Sequence, residues 1–115
     1  MKIRIKTSII NKLDDTKEIL EVNAIKDDKK IVYSNDGTKV TLYYKDKILK
    51  RTNNEVTMEL DFNTNKGNYI INNNILSLDI DTKEYKVTDK TIYIAYDIYI
   101  ENYKNGEFIF EVNTL

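Results

Sequence analysis

Residues 91–100 read TIYIAYDIYI. Ile92, Ile94, Tyr96, Ile98 and Ile100 fall on one side of an extended chain, and Tyr93, Ala95, Asp97 and Tyr99 on the other. A period of two in β-branched and aromatic residues marks a long strand with one buried face. Residues directly opposite in an antiparallel ladder share a face, so each turn hands the inward face to the next strand.

Ten such runs occur, with turn-like residues between them and no helical periodicity of useful length. The first puts Ile3, Ile5, Thr7 and Ile9 inward. Two-residue turns at Asp14-Asp15 and Asp27-Asp28 set Ile9 opposite Leu20 and Ala24 opposite Ile31. Asp36-Gly37, a type I′ signature, sets Tyr33 opposite Val40. Asp46-Lys47 sets Leu42 opposite Arg51. Asn53-Asn54, residue types that tolerate positive φ, sets Leu49 opposite Met58. A longer loop over Thr64–Gly67 sets Phe62 opposite Tyr69, and Asn73-Asn74 sets Tyr69 opposite Leu78.

Parity breaks twice. A turn at Asp89-Lys90 pairs Tyr85 with Ile94, against Ile80 facing inward earlier in the run, which predicts a β-bulge between Thr82 and Tyr85. At the last hairpin, a three-residue loop Lys104-Asn105-Gly106 with a left-handed Gly106 keeps Ile98 opposite Val112. The expected fold is all-β: an up-and-down antiparallel barrel of about ten strands, one domain over 1–115. An even strand count lets the first strand close antiparallel on the last and removes both edges.

Composition narrows the function classes. The 18 basic and 19 acidic residues nearly cancel, which argues against nucleic acid or an anionic membrane held by bulk electrostatics. No run approaches a membrane helix, and MKIRIKTSII alternates where a signal peptide would be continuously apolar, so a cytoplasmic protein is expected. The chain has no Cys and no His, which removes disulfides, thiolate chemistry, the common zinc patterns and His-based catalysis. No phosphate-loop or dinucleotide glycine pattern is present, and no cofactor or metal is expected. An enzyme would have to work with carboxylates, Tyr or Lys, and is the less favoured reading.

The segments KIRIKTSI (Lys2–Ile9), VTLYYKDKILKRTNNEVTMELDFN (Val40–Asn63), LSLDIDT and IYIAYDIYI resemble, in order and spacing, the YwiB-like family of bacterial proteins. Arg51-Thr52-Asn53 is similar to that family's Arg-x-Gly before a tight turn, with Asn53 suited to a left-handed position. Tyr69 opens a segment similar to its Tyr-x-Thr-x-x-Gly, with Ile71 and Asn74 where the family has Thr and Gly. The resemblance runs from Lys2 to Val112. It implies a calycin-type, lipocalin-like barrel that can hold a ligand, and no established reaction or catalytic residue.

Arg51 is the sharpest candidate, read as the only charged residue facing inward on strands one to seven. Tyr33, Tyr44, Tyr69 and Tyr96 share that face. A guanidinium among phenols in an apolar barrel suits a carboxylate or phosphate head group, with an apolar or amphipathic tail against Ile and Leu. Alternatively Arg51 is a rim charge that snorkels to water, since a buried unpaired charge is expensive. Inward tyrosines are more often core than site, since their rings fill space and each hydroxyl needs only one partner. Asp79, Asp81 and Asp97, with Glu59 and Asp61, read as a solvated outer face, and paired carboxylates there could act in hydrolysis or bind a hard cation. Tyr93 and Tyr99, outward on the long strand with Tyr43 and Tyr103 placed near them, suit an interface in a monomer or homodimer. The leading expectation is a small-ligand-binding barrel. The alternative is a non-enzymatic interaction or structural barrel with a filled core, to which the few small inward residues, Ala24 and Thr7, lend weight.

Overall fold

A computed structural model of the chain describes residues 1–115. Each alternating run forms a strand: β1 (Lys2–Asn11), β2 (Thr16–Lys26), β3 (Ile31–Asn35), β4 (Thr38–Tyr43), β5 (Ile48–Thr52), β6 (Val56–Asp61), β7 (Lys66–Ile71), β8 (Asn74–Val87), β9 (Thr91–Ile100) and β10 (Tyr103–Thr114). Every strand is antiparallel to its sequence neighbour, and β1 pairs with β10, so the meander closes into a ten-stranded barrel without helices. The closing ladder runs from Ile5↔Thr114 to Asn11↔Phe108. It sets Thr7 on Val112 and Ile9 on Phe110, so the inward faces of the two chain ends meet.

Three kinds of turn join the strands. Asp36-Gly37, Asn72-Asn73 and Glu101-Asn102 are two-residue turns with positive φ at both positions, the type I′ geometry that matches strand twist. Loops over residues 12–15, 44–47 and 62–65 have four residues and end on a left-handed Asp15, Lys47 or Asn65. At 27–30, 53–56 and 88–91 the first side chain holds the turn: Asp27 Oδ1, Asn53 Oδ1 and Thr88 Oγ1 each accept two backbone N–H bonds from the residues two and three ahead.

These turns correct several expected registers. Ile9 faces Glu18, Leu42 faces Leu49, Arg51 faces Met58 and Tyr69 faces Leu76, each two residues from the expected partner. Met58, not Phe62, faces Tyr69, because Phe62 opens the four-residue loop. Asn53 is not left-handed, because its side chain caps the turn instead. A two-residue slip leaves every side chain on its original face, so the inward set survives. The Asp36-Gly37 and Asp89-Lys90 registers stand as read, and β8 bulges between Thr82 and Glu84. The last hairpin turns at Glu101-Asn102, not over 104–106. A bulge between Lys104 and Gly106 restores parity, and Gly106 is not left-handed.

The barrel has a closed end and an open end. At the closed end the loops at 27–30, 44–47, 62–65 and 88–91 are cross-linked. Tyr44 Oη donates to the Asp27 carbonyl and Tyr85 Oη to that of Tyr44. Asn63 Nδ2 bonds the Asp46 carbonyl, and Lys26 Nζ that of Asp89. Phe62 plugs this end against Tyr85 and Tyr96, with ring centroids 5.9 and 5.1 Å away. Ile5, Leu42, Leu49, Leu60, Ile94, Phe110 and Val112 fill the middle. At the open end no comparable plug exists, and inward-facing Ile71 and Leu76 are exposed at the rim.

Gly67 faces inward between Leu60 and Leu78. A methyl there would stand 2.8 Å from both the Glu59 carbonyl and Leu60 Cδ2. Backbone cannot give way as a flexible tip can, so Gly67→Ala overpacks the wall. It is expected to destabilise the barrel by about 1–3 kcal/mol in denaturant titration.

Candidate functional site

β5 carries Arg51 inward one residue before its turn at the open end. Its ladder partners are Val40 on β4 and Met58 on β6, both apolar. Arg51 as a residue is half-buried, and none of the six ion pairs of the structure includes it. Below and beside it lies a cavity of about 340 Å³ lined by Leu49, Met58, Tyr69, Leu78, Tyr96, Ile98 and Phe108, with further apolar side chains at its margin. Arg51 and Asn105 are its two non-hydrophobic lining residues. On the other side of Arg51 a second recess, about 350 Å³, is bounded by Tyr33, Val40, Leu20 and Glu18. Arg51 therefore stands on the partition between an apolar chamber and a polar one.

The structure brings Arg51, Tyr33, Tyr69 and Tyr96 together around these chambers. Tyr44 is not with them. It shares their face but sits at the closed end, its hydroxyl spent on the Asp27 carbonyl. Arg51 is also not alone as an inward charge. Glu18 on β2 has the same parity as Leu20 and Val22 and lines the second recess, exposed. Asn105 and Phe108 escape a reading that places the last turn over 104–106. The signal for them is the Glu101-Asn102 dipeptide, both of whose residues take positive φ.

An aromatic row, Tyr85–Phe62–Tyr96–Phe108, runs from the plug to the cavity, ending in a stacked Tyr96–Phe108 pair at 5.4 Å. Burial pushes the Tyr96 phenol well above its ordinary range, against a smaller downward pull from the Arg51 charge. Tyr33 is pushed up to about 12 by burial, with the Thr7 hydroxyl and Arg51 pulling the other way. Both phenols thus stay neutral hydrogen-bonding groups near a fixed cation, which suits them to orient a polar group rather than abstract a proton.

The outer-face candidates lie elsewhere. Asp79 pairs with Lys66, and Asp81 with Lys83 at 2.6 Å. Asp97 is buried despite facing outward, because Lys83 and Lys104 from the two bulged strands fold over it at 3.8 and 3.5 Å. Asp97 is opposite Asp81 on one side and Glu107 on the other, and the two lysines offset two of the three carboxylate charges in that row. No three acidic groups in the chain converge as metal ligands would. Tyr93 and Tyr99 are half-buried on one row of β9, separated by Ala95 and Asp97. Tyr103 is 80% exposed but pairs with Ile100, so it shares the inward parity and not the outward row of Tyr99, whereas Tyr43 lies on β4, across the barrel.

Comparison of the chain with protein-family models, with curated proteins and with solved structures finds no match. No helix is long and apolar enough to cross a membrane.

The buried phenols make a pH prediction. In the folded chain Tyr33 stays protonated to about 12, against 10.0 for an ordinary tyrosine, and Tyr85 and Tyr96 are also raised by burial. A group whose folded pKa is raised contributes stability in full below its unfolded pKa and loses it as pH rises toward the folded value. Stability is therefore expected to fall as pH climbs from about 10 to about 12. In an ultraviolet tyrosinate titration these three of the nine tyrosines should ionise only together with unfolding.

Proposed function

We propose that this chain is a small-molecule-binding barrel whose ligand is an amphipathic anion. Its carboxylate or phosphate head meets Arg51, and its apolar tail lies along Met58, Tyr69, Ile98 and Phe108. The observation that carries this reading is an inward guanidinium with no acidic partner at the lip of an apolar cavity. Desolvating a cation without a partner costs stability, and a charge-assisted bond to an incoming anion offsets that cost. The cavity sets the scale: about 340 Å³ equals roughly eleven waters at ~30 Å³ each, room for a medium-length chain and not a long one. The exposed Ile71 and Leu76 at the rim give an apolar tail a way in. The likeness to the YwiB-like calycin barrels in strand order and spacing supports the same reading, and with it we propose a cytoplasmic setting with no nucleic-acid or membrane partner.

Decanoate and decanol separate the two halves of the site. Arg51→Ala is expected to weaken decanoate binding by roughly 10- to 100-fold in calorimetry, the value of a hydrogen bond to a charged group. Decanol, which keeps the tail and loses the charge, should bind both proteins alike. Equal decanoate affinity in the two proteins would remove Arg51 from the site.

The same argument predicts a trade-off in the free protein. Replacing a partly buried unpaired charge by a side chain of similar volume relieves desolvation. Arg51→Met is expected to leave the thermal midpoint unchanged or raised while abolishing the preference for decanoate over decanol. A clear drop in midpoint would mean that Arg51 serves the fold.

A further inference from the structure

The barrel wall has one weak seam. β2 has eleven residues and β3 only five, and their ladder consists of two pairs, Ile25↔Val32 and Lys26↔Ile31. On its other side β2 is laddered to β1 along its length, from Asn11↔Thr16 to Lys2↔Ile25. Residues 16–24 of β2 are thus paired on one side only. The β3–β4 hairpin diverges from them, and recesses of about 570 and 350 Å³ line the seam. A free strand edge is a template for another strand unless it is blunted by proline, a bulge, a cover or charge; the charges here are Lys17 and Glu21, of opposite sign on the outer face, and Glu18 on the inner. The chain has no Pro, and the β1–β2 register runs without a shift.

The outer face of this edge reads Lys17, Ile19, Glu21, with Ile19 49% exposed. We propose that this edge pairs antiparallel with the same edge of a second copy, across a two-fold axis at Ile19. That register sets Ile19 on Ile19 of the other copy and makes two symmetric Lys17–Glu21 pairs. Neighbouring registers that keep like faces together are worse. An axis at Glu18 or Glu21 opposes identical carboxylates, and an axis at Leu20 sets Ile19 against Glu21. Opposite charges directly across a ladder stabilise it and like charges destabilise it, so the charge pattern selects the Ile19 axis. A β-strand edge adds main-chain hydrogen bonds to any extended partner; the alternation of Lys17, Ile19 and Glu21 makes this one self-complementary. Because the contact covers only a short strand, association is expected in the micromolar range or weaker.

Charge reversal tests the register as well as the dimer. By sedimentation velocity the wild type should pass from monomer to dimer between micromolar and millimolar protein. Lys17→Glu alone, and Glu21→Lys alone, should weaken association by roughly tenfold or more. The double variant K17E/E21K should restore it, which a merely misfolded or generally destabilised protein would not do; circular dichroism confirms the fold of each. A wild type monomeric throughout, a dimer indifferent to the single reversals, or a double variant that fails to recover would each overturn the proposal.

Discussion

The ladder between the first and last strands holds this molecule to one solution. Once β1 is bonded to β10, every strand has a neighbour on each side, and its inward face is dictated twice. A single parity error would turn apolar residues to water on one whole strand, so errors must be repaired in place. The two bulges do that. One extra residue near Lys83 in β8 and one near Asn105 in β10 reset the alternation on either side of β9. Both repairs flank Asp97, and the lysines beside them neutralise a carboxylate that closure has buried on the outer wall.

Closure also distributes packing unevenly. The loops of one end carry Tyr44 and Phe62, and with Tyr85 near the end of β8 their rings and hydroxyls knit that end together. At the opposite end only the loop over 12–15 has four residues, the other turns are shorter and carry no apolar side chain, and a cavity remains beneath them. A filled half and an open half in one barrel reconcile two expectations that seem opposed, a packed core and a cavity. The inward residues are indeed large, but those near the open end stand around the space rather than in it.

Arg51 belongs to that unfilled half. It stands among Val40, Met58 and Leu49, where an apolar side chain would fill the site without a desolvation cost. Its charge reaches both Tyr33 and Tyr96, and those phenols remain neutral because burial outweighs the cation. The result is a fixed positive group with neutral hydroxyls around it and an apolar chamber beneath.

Alternation in the chain, by itself, determined the all-β class, the strand count, the inward set and the bulge in β8, because those depend only on a period of two. Most registers were not legible, those across Asp36-Gly37 and Asp89-Lys90 apart. Loops of two and four residues conserve the same faces, so an error of two residues is invisible to parity, yet it moves a side chain about 7 Å along its strand. That distance decides which inward residues meet. It separates Tyr44 from Arg51, brings Met58 beside Arg51, and admits Glu18 and Asn105 to the open end. Cavity volume and the unpaired stretch of β2 are likewise tertiary facts, because both arise from the lengths of neighbouring strands acting together.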